Sequence, residues 1–191
     1  MPKGLAVTGD AAADQLLNSD PLAALLGMLL DQQVPMEWAF MSPYRLKERL
    51  GGLDAAEIAS MSPEQVEEVF KQKPALHRFP GSMGKRAHAV CVHLVEHYDG
   101  KADHIWNDVP SGDELYRRLR EIPGFGDEKT KIFIALLAKR FGVTPDGWEE
   151  AAAPFSEDTP RSVADIFDDA SLQRVREWKK AKKAAGKTKQ D

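Results

Sequence analysis

One cysteine, Cys91, stands in 191 residues. An internal disulfide needs two, so cross-linking is excluded, and a reducing compartment, the cytoplasm, is the expected setting. Cys91 falls on the apolar side of a predicted helix, where a buried, inert thiol is expected. Long hydrophobic runs are missing as well: no stretch approaches the length of a membrane span. Met1-Pro2-Lys3-Gly4 carries no signal-peptide core, and no membrane partner is expected. Positive charge is not in excess either, the formal net charge being −4, which weighs against broad attraction to nucleic acid. The charge is unevenly placed, however. Residues 174–189 carry eight Lys/Arg and one acid, Glu177, whereas residues 1–173 hold 18 basic and 28 acidic groups. Any contact with a polyanion is therefore a local patch on an acidic body, assisted by a basic tail.

What is present describes a globular chain: 42% apolar and 29% charged residues, enough for one domain or two small lobes with a real core. Gly4 to Thr8 is apolar and β-tolerant and predicts one small strand. Asp10 caps a helix to about Asn18. Asp20-Pro21 starts another, in which Leu22, Leu25, Leu26, Leu29 and Leu30 form a wide apolar stripe expected to be central and buried. Met36, Trp38, Ala39, Phe40 and Met41 read as core packing. Ser42-Pro43 restarts a helix to Leu50, Asp54 caps a short one to Ser60, and Ser62-Pro63-Glu64-Gln65 is a capping box. Gly84-Lys85-Arg86-Ala87 enters a helix with Ala87, Val90, Cys91, Leu94 and Val95 inward. Ser171 to about Ala184 is a final helix, with a mobile end. His93 and His97 stand at i, i+4 but lack further ligands, so no metal site is expected.

The segment from Arg120 to Thr130 organises the rest. Leu115, Leu119 and Ile122 mark one helical face upstream, and Ile132, Phe133, Leu136 and Leu137 another downstream. Between them Pro123-Gly124-Phe125-Gly126 must turn the chain, and glycine reaches the backbone angles this needs. Such a turn leaves the first amides of the second helix facing outward, with the helix dipole behind them and Lys129 and Lys131 in the next turn. One reading is a backbone clamp for DNA phosphate, which holds a duplex without reading its sequence. The other is an ordinary corner between two helices.

Ile122-Pro123-Gly124-Phe125-Gly126 after an amphipathic helix resembles the hairpin of the helix-hairpin-helix (HhH-GPD) superfamily of base-excision DNA glycosylases. Leu29-Leu30-Asp31-Gln32-Gln33 is a second point of similarity, and the resemblance spans roughly Pro21 to Trp148. It implies a mainly α, two-lobed fold with a helix-hairpin-helix motif at the mouth of the cleft. The single cysteine leaves no iron–sulfur cluster, which some members carry. The expected division is one glycosylase-like domain over residues 1–173, with lobe A at about 21–121, lobe B at about 1–20 plus 122–173, and a basic tail at 174–191. No cofactor is implied beyond room for a monovalent cation at the hairpin carbonyls.

The resemblance also assigns roles. Gln33, with Gln32 beside it, would enter the duplex and fill the gap left by a flipped base. Lys85 and Arg86 would contact phosphate, although a solvated charged helix start explains them equally. A carboxylate must stabilise the positive charge that develops on the sugar, and Asp146, twenty residues beyond Gly126, is the first candidate. Its setting, Pro145-Asp146-Gly147-Trp148, departs from the family pattern and is also a plain turn signal, so Glu149 and Glu150 stand as substitutes. Members that cleave the strand place a lysine two residues after that glycine, where this chain has Glu128. Lys129 lies one step on, about 100° around the helix, so a monofunctional hydrolase is expected. Trp38 or Trp148 would stack on an extruded base, with Glu128 near its exocyclic groups. The partner is then double-stranded DNA, bound by a monomer. A non-catalytic DNA-binding or damage-sensing protein is the competing reading.

Overall fold

The computed structural model describes residues 2–191; they form helices, turns and loops, and no strand is present among them. The predicted strand at residues 4–8 is absent: its alternation buries Leu5 and Val7, but no strand forms. The chain divides into two compact units, one of residues 8–107 with 121–125, the other of the residues up to Val7, 108–120 and 126–191.

The first unit is built from six helices, α1 (Ala11–Ser19), α2 (Pro21–Leu30), α3 (Met36–Leu50), α4 (Ala55–Ser60), α5 (Pro63–Lys71) and α6 (Pro80–Tyr98), with a 3₁₀ turn at Ala102–Ile105. α2 is its axis. Asp20 accepts the Leu22 and Ala23 amides, Pro21 fills the first position, and every residue from Leu22 to Leu30 is buried. Each leucine removed from water contributes about 1.5–3 kcal/mol, so this helix is fixed from both sides. Asp10, Asp54 and Ser62 cap α1, α4 and α5 as their residue types predict, and Ser62 and Gln65 complete a capping box.

Two predicted boundaries move in this unit. α3 runs unbroken through Pro43, where a stop and restart are expected. Met36, Ala39, Phe40, Pro43 and Leu46 lie on one buried stripe. Packing along that stripe outweighs the cost of about 3 kcal/mol for an interior proline. α6 begins at Pro80, four residues before the expected entry, with proline again at the first position. Its inward residues are Ala87, Val90, Cys91 and Leu94, while Val95, expected inside, is 44% exposed. Before α6, Arg49 gathers a loop. Its guanidinium donates to the carbonyls of Val69 at 2.8 Å, Gln72 at 3.0 Å and Pro74 at 2.5 Å.

The second unit holds α7 (Gly112–Arg120), α8 (Asp127–Phe141), α9 (Trp148–Ala152), a 3₁₀ turn at Val163–Asp165 and α10 (Asp169–Ala184). α8 is its core, buried from Ile132 to Ala138. α10 starts two residues before the predicted Ser171, capped by Asp168. The segment beyond it, expected to be loose, is held: buried Arg161 donates from Nη1 to the Lys189 carbonyl at 3.2 Å. Lys139 and Asp165 form a largely buried ion pair at 2.6 Å that joins α8 to the second 3₁₀ turn.

Candidate functional site

α7 starts where the Ser111 hydroxyl accepts the Glu114 amide at 3.1 Å. Glu114 takes hydrogen bonds from Arg117 and Arg118, which hold its carboxyl down to about 2. One turn on, the Tyr116 hydroxyl donates to Asp127 Oδ1 at 2.6 Å and accepts from Arg120 Nη1 at 2.9 Å. That first bond ties α7 to the first residue of α8, and with Lys131 it holds the Asp127 carboxyl below its ordinary value.

The intervening residues turn as glycine permits. The Phe125 amide donates to the Ile122 carbonyl at 3.1 Å, and Gly124 has φ +87°. Ile122 and Phe125 are buried, Pro123 is half-buried, and Gly124 and Gly126 are exposed. Any side chain at Gly124 would meet Leu29 of α2, since a Cβ there would lie 2.7 Å from Leu29 Cδ1. Of the carbonyls expected for a monovalent cation, that of Ile122 is thus already engaged. α8 opens at Gly126 with no side-chain cap, and the Thr130 amide returns to the Gly126 carbonyl at 3.0 Å. A glycine cap leaves the outward side of the helix start uncovered by any capping side chain, as anion binding requires.

The first turn of α8 is nevertheless acidic, with Asp127 and Glu128. Lys131 pairs with Asp127 at 3.2 Å. Glu128 is answered by the C-terminal segment: Lys189 Nζ lies 3.7 Å from Oε1, and Gln190 donates from Nε2 to Oε2 at 3.5 Å. Gln190 also accepts from Lys131 at 3.5 Å. Lys129 is half-buried in the same turn. The sequence marks the tail as basic but not as folding back on this helix.

In the first unit, α2 ends in a short turn where Gln32 is half-buried and Gln33 exposed, with Gln33 in the left-handed region at φ +57°. His77 is 1% exposed. Its Nε2 lies 3.0 Å from the Leu30 carbonyl and 3.1 Å from the Gln32 carbonyl, and its Nδ1 accepts the Phe79 amide at 3.0 Å. A neutral ring with its proton on Nε2 satisfies all three. Phe79 is 41% exposed, with the Arg78 guanidinium 5.2 Å from its ring centre. Arg86 is exposed and flanks the hairpin turn, its Cδ 3.9 Å from where a Gly124 Cβ would lie. Lys85 is turned aside to Glu67 at 3.4 Å.

Asp146 is exposed, and its main chain rather than its side chain is fixed: its carbonyl accepts the Gly112 amide at 2.8 Å beside an isolated bridge to Ser111. A Cβ on Gly112 would come within 2.5 Å of the Gly147 carbonyl oxygen, so only glycine allows this approach. Glu149 and Glu150 follow, exposed, on α9, which Trp148 opens half-buried. Trp38 lies in the other unit. It donates from Nε1 to the Ala75 carbonyl at 3.3 Å and lines a cavity of about 630 Å³ with Asp10, Glu37, Met41, Arg45 and Lys73. Among the described residues no group of three or more His, Cys, Asp or Glu side chains is arranged to hold a metal, and no helix is long and apolar enough to cross a membrane.

No curated protein and no solved structure gives a significant match to the chain. The family model described as HhH-GPD superfamily base excision DNA repair protein matches residues 26–191, a span that takes in α3 to α10, both hairpin helices and their turn, and the second half of α2. An all-helical chain, a two-glycine hairpin and this match agree, and the protein belongs to the HhH-GPD superfamily of base excision DNA repair proteins.

Proposed function

We propose that the protein is a monofunctional DNA glycosylase, which turns a damaged or mispaired base out of a duplex and hydrolyses its N-glycosidic bond. The carrying observation is the hairpin: exposed Gly126 opens α8 without a side-chain cap, and α7, on its other side, is bonded through Gly112 to the loop of Asp146. The hairpin amides and Lys129 and Lys131 hold a phosphate, with Arg86 beside the turn and Lys85 on the same helix. Gln33, with Gln32 behind it, fills the space the base vacates.

As the glycosidic bond lengthens, its electron pair leaves with the base and positive charge grows on the sugar. The Asp146 carboxylate, unburdened by any protein hydrogen bond to its side chain among those described, stabilises that charge until water adds to the anomeric carbon. Water's proton goes to solvent or to the departing base, and an abasic site remains. Glu128 in place of an amine leaves no nucleophile at that position for a Schiff base, so strand cleavage does not follow. Trp148 or Trp38 is the aromatic surface offered to an extruded base.

The test is a panel of duplexes carrying uracil, alkylated purines, oxidised purines and mismatches, scored for abasic sites. Base release that Asp146→Asn abolishes while binding survives supports the enzyme. Binding with no release on any duplex, indifferent to that substitution, leaves a damage sensor instead. Borohydride trapping of a protein–DNA adduct would overturn the monofunctional assignment.

A further inference from the structure

We propose that His77 is the positioning residue that presents Gln33 to the duplex; this rests on the role given to Gln33 above. The imidazole is buried where no substrate reaches it, yet it ties the turn after α2 to the segment that leads into α6. Through Nε2 it holds the last carbonyl of α2, Leu30, and the carbonyl of Gln32, the residue before Gln33. Through Nδ1 it holds the amide of Phe79, the residue before α6. Gln33 itself sits at φ +57°, a conformation that a glutamine adopts only when its surroundings hold it there. The Gln32 amide donates to the Leu30 carbonyl at 2.8 Å, so the turn is closed on one side by main chain and on the other by the imidazole. The same ring sets down exposed Phe79, and with it Arg78 over the Phe79 face. One buried side chain thereby fixes where an exposed amide side chain and an exposed aromatic leave the surface.

The two ring nitrogens have different tasks, and two substitutions separate them. His77→Gln keeps an N–H donor near the position of Nε2, towards Leu30 and Gln32, and loses the acceptor for Phe79. His77→Asn keeps an acceptor near Nδ1 and loses the donor. The probe is a duplex with a tetrahydrofuran abasic analogue opposite 2-aminopurine, compared with the intact duplex; anisotropy gives affinity, and 2-aminopurine fluorescence reports the orphan base. For the wild type, tighter binding to the abasic duplex and a fluorescence change are expected. Gln33→Ala and His77→Asn should each reduce that preference on the order of tenfold, the scale of a lost buried hydrogen bond, with binding to the intact duplex retained. His77→Gln should retain most of it. In the Gln33→Ala background, His77→Asn should cause no further loss, since both changes act through one side chain.

An unchanged preference in His77→Asn overturns the positioning role, as does an equal loss on intact and abasic duplexes in step with a lower melting temperature. If Gln33→Ala itself changes nothing while glycosylase activity persists, the gap-filling role fails and this proposal with it, but the enzyme assignment stands.

Discussion

The Gly112 amide donates to the Asp146 carbonyl at 2.8 Å, so the candidate carboxylate is placed by main chain and its side chain has no structural task. Asp146→Asn should therefore leave the melting temperature unchanged while base release falls below detection. Gly112→Ala should do the reverse of a clean active-site variant. Its methyl group meets the Gly147 carbonyl, which costs about 1–3 kcal/mol as overpacking does, and activity falls with the displaced loop. Denaturant titration beside the abasic-site assay separates the two.

Gly124→Ala combines a left-handed backbone at φ +87° with a contact on Leu29. A loss of roughly 1–2 kcal/mol is expected from the backbone alone. DNA affinity should fall with it, and the slope of log affinity against log salt should become shallower, because a phosphate contact is removed. An unchanged slope would mean the turn holds no phosphate.

Burial pushes the Cys91 thiol up to about 12, and the side chain has no exposed surface. Iodoacetamide should leave the folded protein unmodified at neutral pH and label it once in denaturant, as read by intact mass. Labelling of native protein would place Cys91 outside the core.

Tyr116 is the first cause of the lowered Asp127 carboxyl, ahead of Lys131. A depressed folded value means the contribution to stability is complete above the unfolded value, near 3.8, and is lost as pH falls through the folded one. Tyr116→Phe should raise the Asp127 value and shift that loss to higher pH. An acid denaturation series, with the carboxyl followed by NMR, reads both; identical curves would dismiss the bond.

The C-terminal segment answers Glu128, whose charge otherwise adds to that of Asp127 in the first turn of α8. Removing residues 187–191, or changing Lys189→Ala, should weaken duplex binding by a few-fold, the scale of an exposed ion pair. Glu128→Gln should recover the loss in the shortened protein. Recovery tests the pairing itself, since general loss of tail charge would persist.

What was legible in the sequence was local. Asp20-Pro21 and the Ser62 capping box place helix starts because a cap bonds to amides two or three residues away. The hairpin is legible for the same reason, its glycines, helix faces and charges all lying close together along the chain. Pro43 misleads because its cost is decided by packing along the buried side of α3. His77 is missed because its partners lie 47 and 45 residues back in the chain; from sequence it is one histidine among lysines. Asp146 can be counted from Gly126, but nothing in Pro145-Asp146-Gly147 announces a bridge to Ser111.

Arg49 is not among the residues expected to meet nucleic acid, yet its three carbonyl contacts tie the last turn of α5, at Val69, to the loop through Gln72 and Pro74 that leads to His77. On the role proposed for Gln33, Arg49 braces from a distance the segment whose His77 holds the Gln32 carbonyl. A genetic screen for defective lesion handling should return position 49, in a variant whose DNA-facing surface is chemically intact.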